Sequence, residues 1–464
     1  MVDSFIAALT GIVFGQVQIF GVQVEWVVLW MAIPMVFFTA YFKFINVRGF
    51  RLSLEILKGR YADPDAPGEV SQFQALTTAL SGTIGLGNIA GVAIAISIGG
   101  PGATFWMIVI AFFAMSLKFV ECTLAVKHRV ILPDGTVFGG PMYYLRRGLE
   151  EKSWPTLGKY LALSYGLLAI PNMLVFAQVN QAYSQISSVT GYEFPWLFGI
   201  GLASVVGLVI IGGIKSIAKV TGRIVPLMCG IYLLATVVIL IMHADAIPNA
   251  IAAIFRGAFV PEGVVGGVVG VFVIGMRRAV YSTEAGTGLS TVAHAAAKTR
   301  EPVSQGLASL LEPFVDTVIV CTMTALVIIV TGAHEIDGLN DIQMTSAAFG
   351  SVISWFPYVL AVCVLLFAVS TIISWSYYMS RVWSFLFGYT PFSQYSFRVV
   401  FCIAVIPGGV FSVQQVIDLI DCFVFLITIP NVIGLYFLAP TIKRDLTAYL
   451  SKVKSSRSAA ENLA

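Results

Sequence analysis

Along the chain, apolar runs close to the ~20 residues needed to cross a bilayer alternate with short charged stretches. They fall at about 24–44, 73–98, 103–126, 157–188, 195–214, 224–243, 264–293, 306–331, 354–380, 397–415 and 416–440. The pattern predicts an all-α polytopic membrane protein of about eleven transmembrane helices. Residues 1–25 are weaker: Gln16, Gln18 and Gln23 interrupt them, and they read as an interfacial or re-entrant segment.

Two of the runs are broken at mid-depth. In the first, Ser81-Gly82-Thr83-Ile84-Gly85-Leu86-Gly87-Asn88-Ile89-Ala90-Gly91 has four glycines in eleven positions. Glycine costs roughly 1 kcal/mol against alanine inside a helix, so the cluster predicts an unwound stretch. Bare backbone groups are tolerated at that depth only where they line an enclosed site. Close helix packing through small residues is the simpler alternative. Asn88 would cap a half-helix whose positive end suits a carboxylate. In the second, the run from about Val264 reaches Gly275-Met276-Arg277-Arg278-Ala279-Val280-Tyr281-Ser282-Thr283-Glu284-Ala285-Gly286-Thr287-Gly288. Charges there cost at least ~2.5–3.5 kcal/mol each, so Arg277 or Arg278 is expected to pair with Glu284, as a structural tie or as a gating or coupling pair.

The breaks lie five spans apart, which gives them opposite orientations. Interrupted helices at matching places in two halves point to an inverted-repeat transporter. The expected division is residues 1–72 as N-terminal segment, peripheral first helix and loop, 73–243 and 244–440 as two inverted five-helix repeats, and 441–464 as a cytoplasmic tail.

Composition agrees: 58% of residues are hydrophobic and 11% charged, against about 25% charged in soluble domains. A net charge of +3 is too small to suggest nucleic acid. The lysines and arginines fall almost entirely in alternate loops; Lys118, Arg277 and Arg278 lie within spans, and Arg256 alone lies in an opposite loop. The opposite loops carry Glu193, Asp245, Glu262, Glu335, Asp337 and Asp341. By the positive-inside rule the N-terminus is outside and the C-terminus cytoplasmic, in a cell inner (plasma) membrane. The six cysteines have no C-x-x-C spacing and the four histidines are scattered, so neither a disulfide framework nor a zinc site is expected. No lysine or arginine precedes Lys43, so the basic start of a signal peptide is missing.

The glycine-rich stretch, together with Gly99-Gly100-Pro101-Gly102-Ala103, Gly139-Gly140-Pro141-Met142-Tyr143-Tyr144, Glu284-Ala285-Gly286-Thr287-Gly288 and Ser370-Thr371-Ile372-Ile373, resembles the alanine or glycine:cation symporter family. The resemblance implies a leucine-transporter-type fold and sodium- or proton-driven uptake of a small amino acid, with Na⁺ as coupling ion and no other cofactor. It also implies that the glycine-rich break (Thr83, Gly85, Gly87) and Asn88 contact the substrate, that Gln178 and Trp375 line its pocket, and that Ser370 and Thr371 hold the cation. The chain departs from the family where Thr283 replaces the usual Asn, Ser374 the usual Gly, and Met379-Ser380 a Gly-Glu pair.

A zwitterion suits two broken helices, with N–H groups near Asn88 for its carboxylate and carbonyls around Gly275 for its ammonium. Hydroxyls of Ser370 and Thr371 with carbonyls of Ser81 and Ile84 would give a hard, oxygen-only shell for Na⁺; hydroxyls bonded back to their own helix are the alternative. Phe176, Met276 and Trp375 are bulky enough to limit the pocket. A proton-coupled permease using Glu284 or Glu121 is the second reading. A channel would need a filter or pore rings and an enzyme a nucleophile or metal cluster, and the sequence presents neither.

Overall fold

The computed structural model describes residues 2–19, 22–260, 266–339, 341–411 and 413–461. Glu262 and the start of the seventh run near Val264 lie outside the described residues. Among the described residues, six helices are long and apolar enough to span a bilayer, and a seventh span is the pair Gln72–Thr83 and Leu86–Gly99, bent by 60° at its break. Shorter apolar helices, Trp26–Tyr41, Pro195–Ile210 and Ile247–Phe259, add to the bundle.

The N-terminal segment has regular structure of its own. Residues Val2–Val13 form a helix, and Gln16–Ile19 pairs antiparallel with Val22–Glu25. The alternation Gln16-Val17-Gln18 is the period-two signature of a strand, and Trp26 then starts the first long helix.

The first broken helix begins with a capping box: Ser71 accepts from the Gln74 amide, and Gln74 Oε1 accepts from the Ser71 amide. These bonds satisfy two otherwise orphaned groups and fix where the helix starts. Its second half, Ala90–Gly99, stops at Gly100, whose φ of +64° turns the chain into Pro101 and helix Gly102–Lys127.

The run expected at 157–188 has its own interruption. Helix Pro155–Ala169 passes through a 3₁₀ turn at Ile170–Met173 and continues as Phe176–Thr190; Pro171 cannot supply the amide that a straight helix needs. A π-helical turn, Phe314–Cys321, lies within the span that starts at Pro302. The last helix, Val413–Glu461, carries both the final span and the tail.

Candidate functional site

At the first break, helix Phe356–Phe387 is bonded to helix Gln72–Thr83 through side chains. Thr371 Oγ1 donates to the Ser81 carbonyl at 2.9 Å and Ser81 Oγ to the Ser370 carbonyl at 2.8 Å. Trp375 Nε1 donates to the Gly82 carbonyl at 3.2 Å. Ser370 Oγ instead turns back to Phe367 O at 3.0 Å, so of the two hydroxyls expected at a cation site, one crosses to the partner helix and the other bonds its own. Ser81, Ile84, Ser370 and Thr371 are all buried.

The break itself is held by side-chain carbonyls. Gly85 N donates to Asn88 Oδ1 at 3.0 Å, and Leu86 N donates to Gln178 Oε1 at 3.2 Å. Glycine is required here for close approach. A Cβ on Gly85 would lie 2.7 Å from Thr371 Oγ1 and 3.2 Å from Gln178 Oε1, and neither Gly85 nor Gly87 has a positive φ.

Asn88 does not cap helix Ala90–Gly99, whose N-cap position is Ile89. Its side chain is directed sideways: Nδ2 donates to Asp316 Oδ1 at 2.6 Å and to Asp316 O at 2.9 Å. Ser282 and Thr317 also donate to Asp316 Oδ2, at 2.5 and 2.6 Å. A fully buried carboxylate is thereby met by three neutral donors, from both broken helices and the π-helical turn that carries it. Asp316 was concealed in the apolar run 306–331; an ionisable group inside a span was the available signal.

The second break lies later than expected. Helix Gly267–Thr283 is continuous through Gly275, which packs against Ala103 and Trp106. Its end is at Glu284, with φ +49°, followed by positive φ at Gly286 and Gly288. Carbonyls around Gly275 are therefore inside the helix ladder, and those left by its ending are at 281–283, since Val280 O accepts the Glu284 amide. Asn431 Nδ2 donates to Gly286 O at 2.8 Å and to Glu121 Oε1 at 2.7 Å, and Tyr165 donates to Thr287 O at 2.7 Å. Beyond, buried Lys118 contacts Ser290 Oγ at 2.8 Å and Glu312 at 3.2 Å, and His294 lies 3.0 Å from Glu312.

The expected pairing of Arg277 or Arg278 with Glu284 does not form. Arg277 pairs with Glu25 and stacks on Phe14, 3.7 Å from the ring centroid; Arg278 pairs with Asp421. Six or seven residues of helix separate each arginine from Glu284, on the order of 9–10.5 Å at 1.5 Å per residue, so the arginines lie one level away from the break.

Two small cavities flank this region. One, of about 30 Å³, is bordered by Gly87, Gly91, Arg278, Tyr281 and Asp421; the other, of about 20 Å³, by Asn172, Gln178, Tyr281 and Trp375. Each is of the size that holds water rather than an amino acid, so the walls are drawn together in this conformation. Gly87, Gln178 and Trp375 border these cavities. Thr83, Gly85, Asn88, Gly275 and Met276 do not, and Phe176 stacks on Phe411 with centroids 4.9 Å apart.

Broken helices, polar groups converging at the breaks and small cavities beside them define a multi-pass membrane transporter of the leucine-transporter type. The solved structure of MhsT in complex with L-phenylalanine superposes with a TM-score of 0.57 at 14% identity, covering 83% of this chain and 99% of that one. The chain belongs to the sodium:alanine symporter family, whose profile matches residues 8–462. It is 37% identical to the sodium/alanine symporter AgcS of Methanococcus maripaludis over 421 residues, 89% of this chain and 92% of that one. It is 37% identical to the putative sodium/proton-dependent alanine carrier protein YrbD of Bacillus subtilis, over 71% of this chain and 69% of that one. With the probable sodium/glutamine symporter GlnT of the same organism it shares 32% identity over 91% and 87%. These are names of transporters, which are not an enzyme class.

Proposed function

We propose that the protein imports alanine, glycine or a similar small amino acid together with Na⁺ by alternating access, with residues 73–243 and 244–440 acting as inverted repeats in the cell inner membrane, N-terminus outside. The observation that carries the reading is the set of neutral oxygens and amides at the first break. Asn88 Oδ1 on Gly85 N and Gln178 Oε1 on Leu86 N occupy positions that the two oxygens of a substrate carboxylate would take. The ammonium would meet carbonyls at the end of helix Gly267–Thr283, where the helix dipole favours a cation. Ser81 O and Thr371 Oγ1, now bonded to each other, would turn to a sodium ion with Ser370 Oγ and the Ile84 carbonyl, a donor set of hard oxygens. Asp316 adds a buried carboxyl group beside the break, with Asn88, Ser282 and Thr317 as its donors and no cationic side chain among them.

Proton coupling is the second reading. It is favoured by Glu121 and Glu284, each buried with one carboxylate oxygen outside any hydrogen bond among the described residues. Uptake of labelled alanine and glycine into proteoliposomes separates the two: a sodium gradient at equal pH drives accumulation on the first reading, and a pH gradient without sodium drives it on the second.

A further inference from the structure

A cleft remote from the two breaks has the chemistry of a lipid site. The peripheral helix Trp26–Tyr41 ends at Phe42, and Lys43 and Phe44 take φ of +54° and +56°, turning the chain sharply into the short helix Ile45–Arg48. The turn sets Lys43 and Arg48 opposite helix Val413–Glu461. That helix presents Lys443, Thr447, Leu450 and Lys454 at i, i+4, i+7 and i+11, one face of an α-helix. Between them is a cavity of about 320 Å³, with Leu446 and Leu450 on its apolar wall.

Four cations border it, and no carboxylate does. Several other cations at this end of the bundle have acidic partners: Lys127 with Asp445, Lys452 with Glu301, Arg300 with Asp63, and Arg51 and Arg60 with Glu55. Among the described residues, Lys43, Arg48, Lys443 and Lys454 are in no ion pair; Lys443 lies 4.1 Å from the Tyr41 ring centroid. Four like charges around one cleft repel one another, which an anion between them relieves. Beside the cleft, Phe44 and Val47 are 50% and 58% exposed, an apolar surface that a free phosphate would leave uncovered and acyl chains would cover.

We infer that this cleft binds the headgroup of an anionic phospholipid, its phosphate held by Lys43, Arg48, Lys443 and Lys454 and its chains lying along the peripheral helix. Basic pockets between membrane helices on the cytoplasmic side are suited to such headgroups, and each cation near an anionic leaflet is worth about fivefold in affinity.

The test uses the full chain in phosphatidylcholine nanodiscs, with fluorescent phosphatidylglycerol and the same fluorophore on phosphatidylcholine as probes. Wild type is expected to enrich the anionic probe at least about tenfold over the neutral one. The variant Lys43→Gln, Arg48→Gln, Lys443→Gln, Lys454→Gln should lose that preference. A matched variant, Arg51→Gln, Arg60→Gln, Arg300→Gln, Lys452→Gln, removes four cations that are already paired and should keep it. Equal losses in both variants would mean a diffuse surface potential and overturn the site. So would competition by inorganic phosphate at the concentration of the lipid. Should the first variant fail to fold, Lys43→Gln with Lys454→Gln must still reduce the preference by several-fold.

Discussion

The bare amides of the first break are covered by neutral groups, and the second break is framed by charges. At 84–89, two amides are covered by the side-chain carbonyls of Asn88 and Gln178, and the helix before them is bonded to helix Phe356–Phe387 through Thr371, Ser81 and Trp375. At 284–290, the unwound chain is tied to Asn431, Tyr165 and Lys118, with Glu121, Glu312 and His294 behind them. Neutral hydrogen bonds are each worth about 0.5–1.5 kcal/mol net, so a ligand can exchange with them. Losing one partner of a buried ion pair costs about 3–5 kcal/mol. The contrast assigns exchange to the first break and rigidity to the second.

The largest effect should come from filling the first break. Gly85→Val would drive its side chain into Thr371 and Gln178, and uptake should fall at least about a hundredfold, roughly 2.7 kcal/mol, alongside the about 1–3 kcal/mol of stability that overpacking costs. Gly201→Ala, where a Cβ also meets nothing within 4 Å and which borders neither cavity, should transport normally; comparable losses in both would mean that the close approach at Gly85 is unimportant.

At the second break the damage should be to folding. Lys118→Met leaves Glu312 buried without its cation and is expected to cost about 3–5 kcal/mol, read as a lower melting temperature in detergent. Lys118→Met with Glu312→Leu should recover part of that loss. If the single variant keeps wild-type stability, the charged network is not a frame.

A smaller change is expected from Trp375→Ala. Its indole borders the cavity with Gln178, and removal should let valine or leucine compete for uptake several-fold better. Unaltered competition would place Trp375 in packing only.

The chain of helices and the first break were legible because membrane spans and glycine clusters announce themselves in composition. The second break was placed near Gly275 because Arg277 and Arg278 stand out there, whereas the helix yields only where Glu284, Gly286 and Gly288 adopt positive φ. The partners of those arginines, Glu25 and Asp421, are 252 and 143 residues away, and a distance of that kind leaves no periodic trace. Asp316 and the π-helical turn are hidden for a related reason: an apolar count over 306–331 averages away two carboxylates, Glu312 and Asp316. The strand pair Gln16–Ile19 and Val22–Glu25 reads as a weak span when only apolar content is counted, whereas its period-two alternation identifies strands.

The central claim, that the coupling ion is held by the neutral oxygens of the first break, is tested most directly by the sodium dependence of alanine uptake in proteoliposomes of Ser370→Ala with Thr371→Ala. With two hard oxygen ligands gone, half-saturating sodium should rise at least about tenfold, near 1.4 kcal/mol, while Glu121→Gln leaves it unchanged. An unchanged sodium dependence in the double variant, with the shift appearing in Glu121→Gln, would contradict the account.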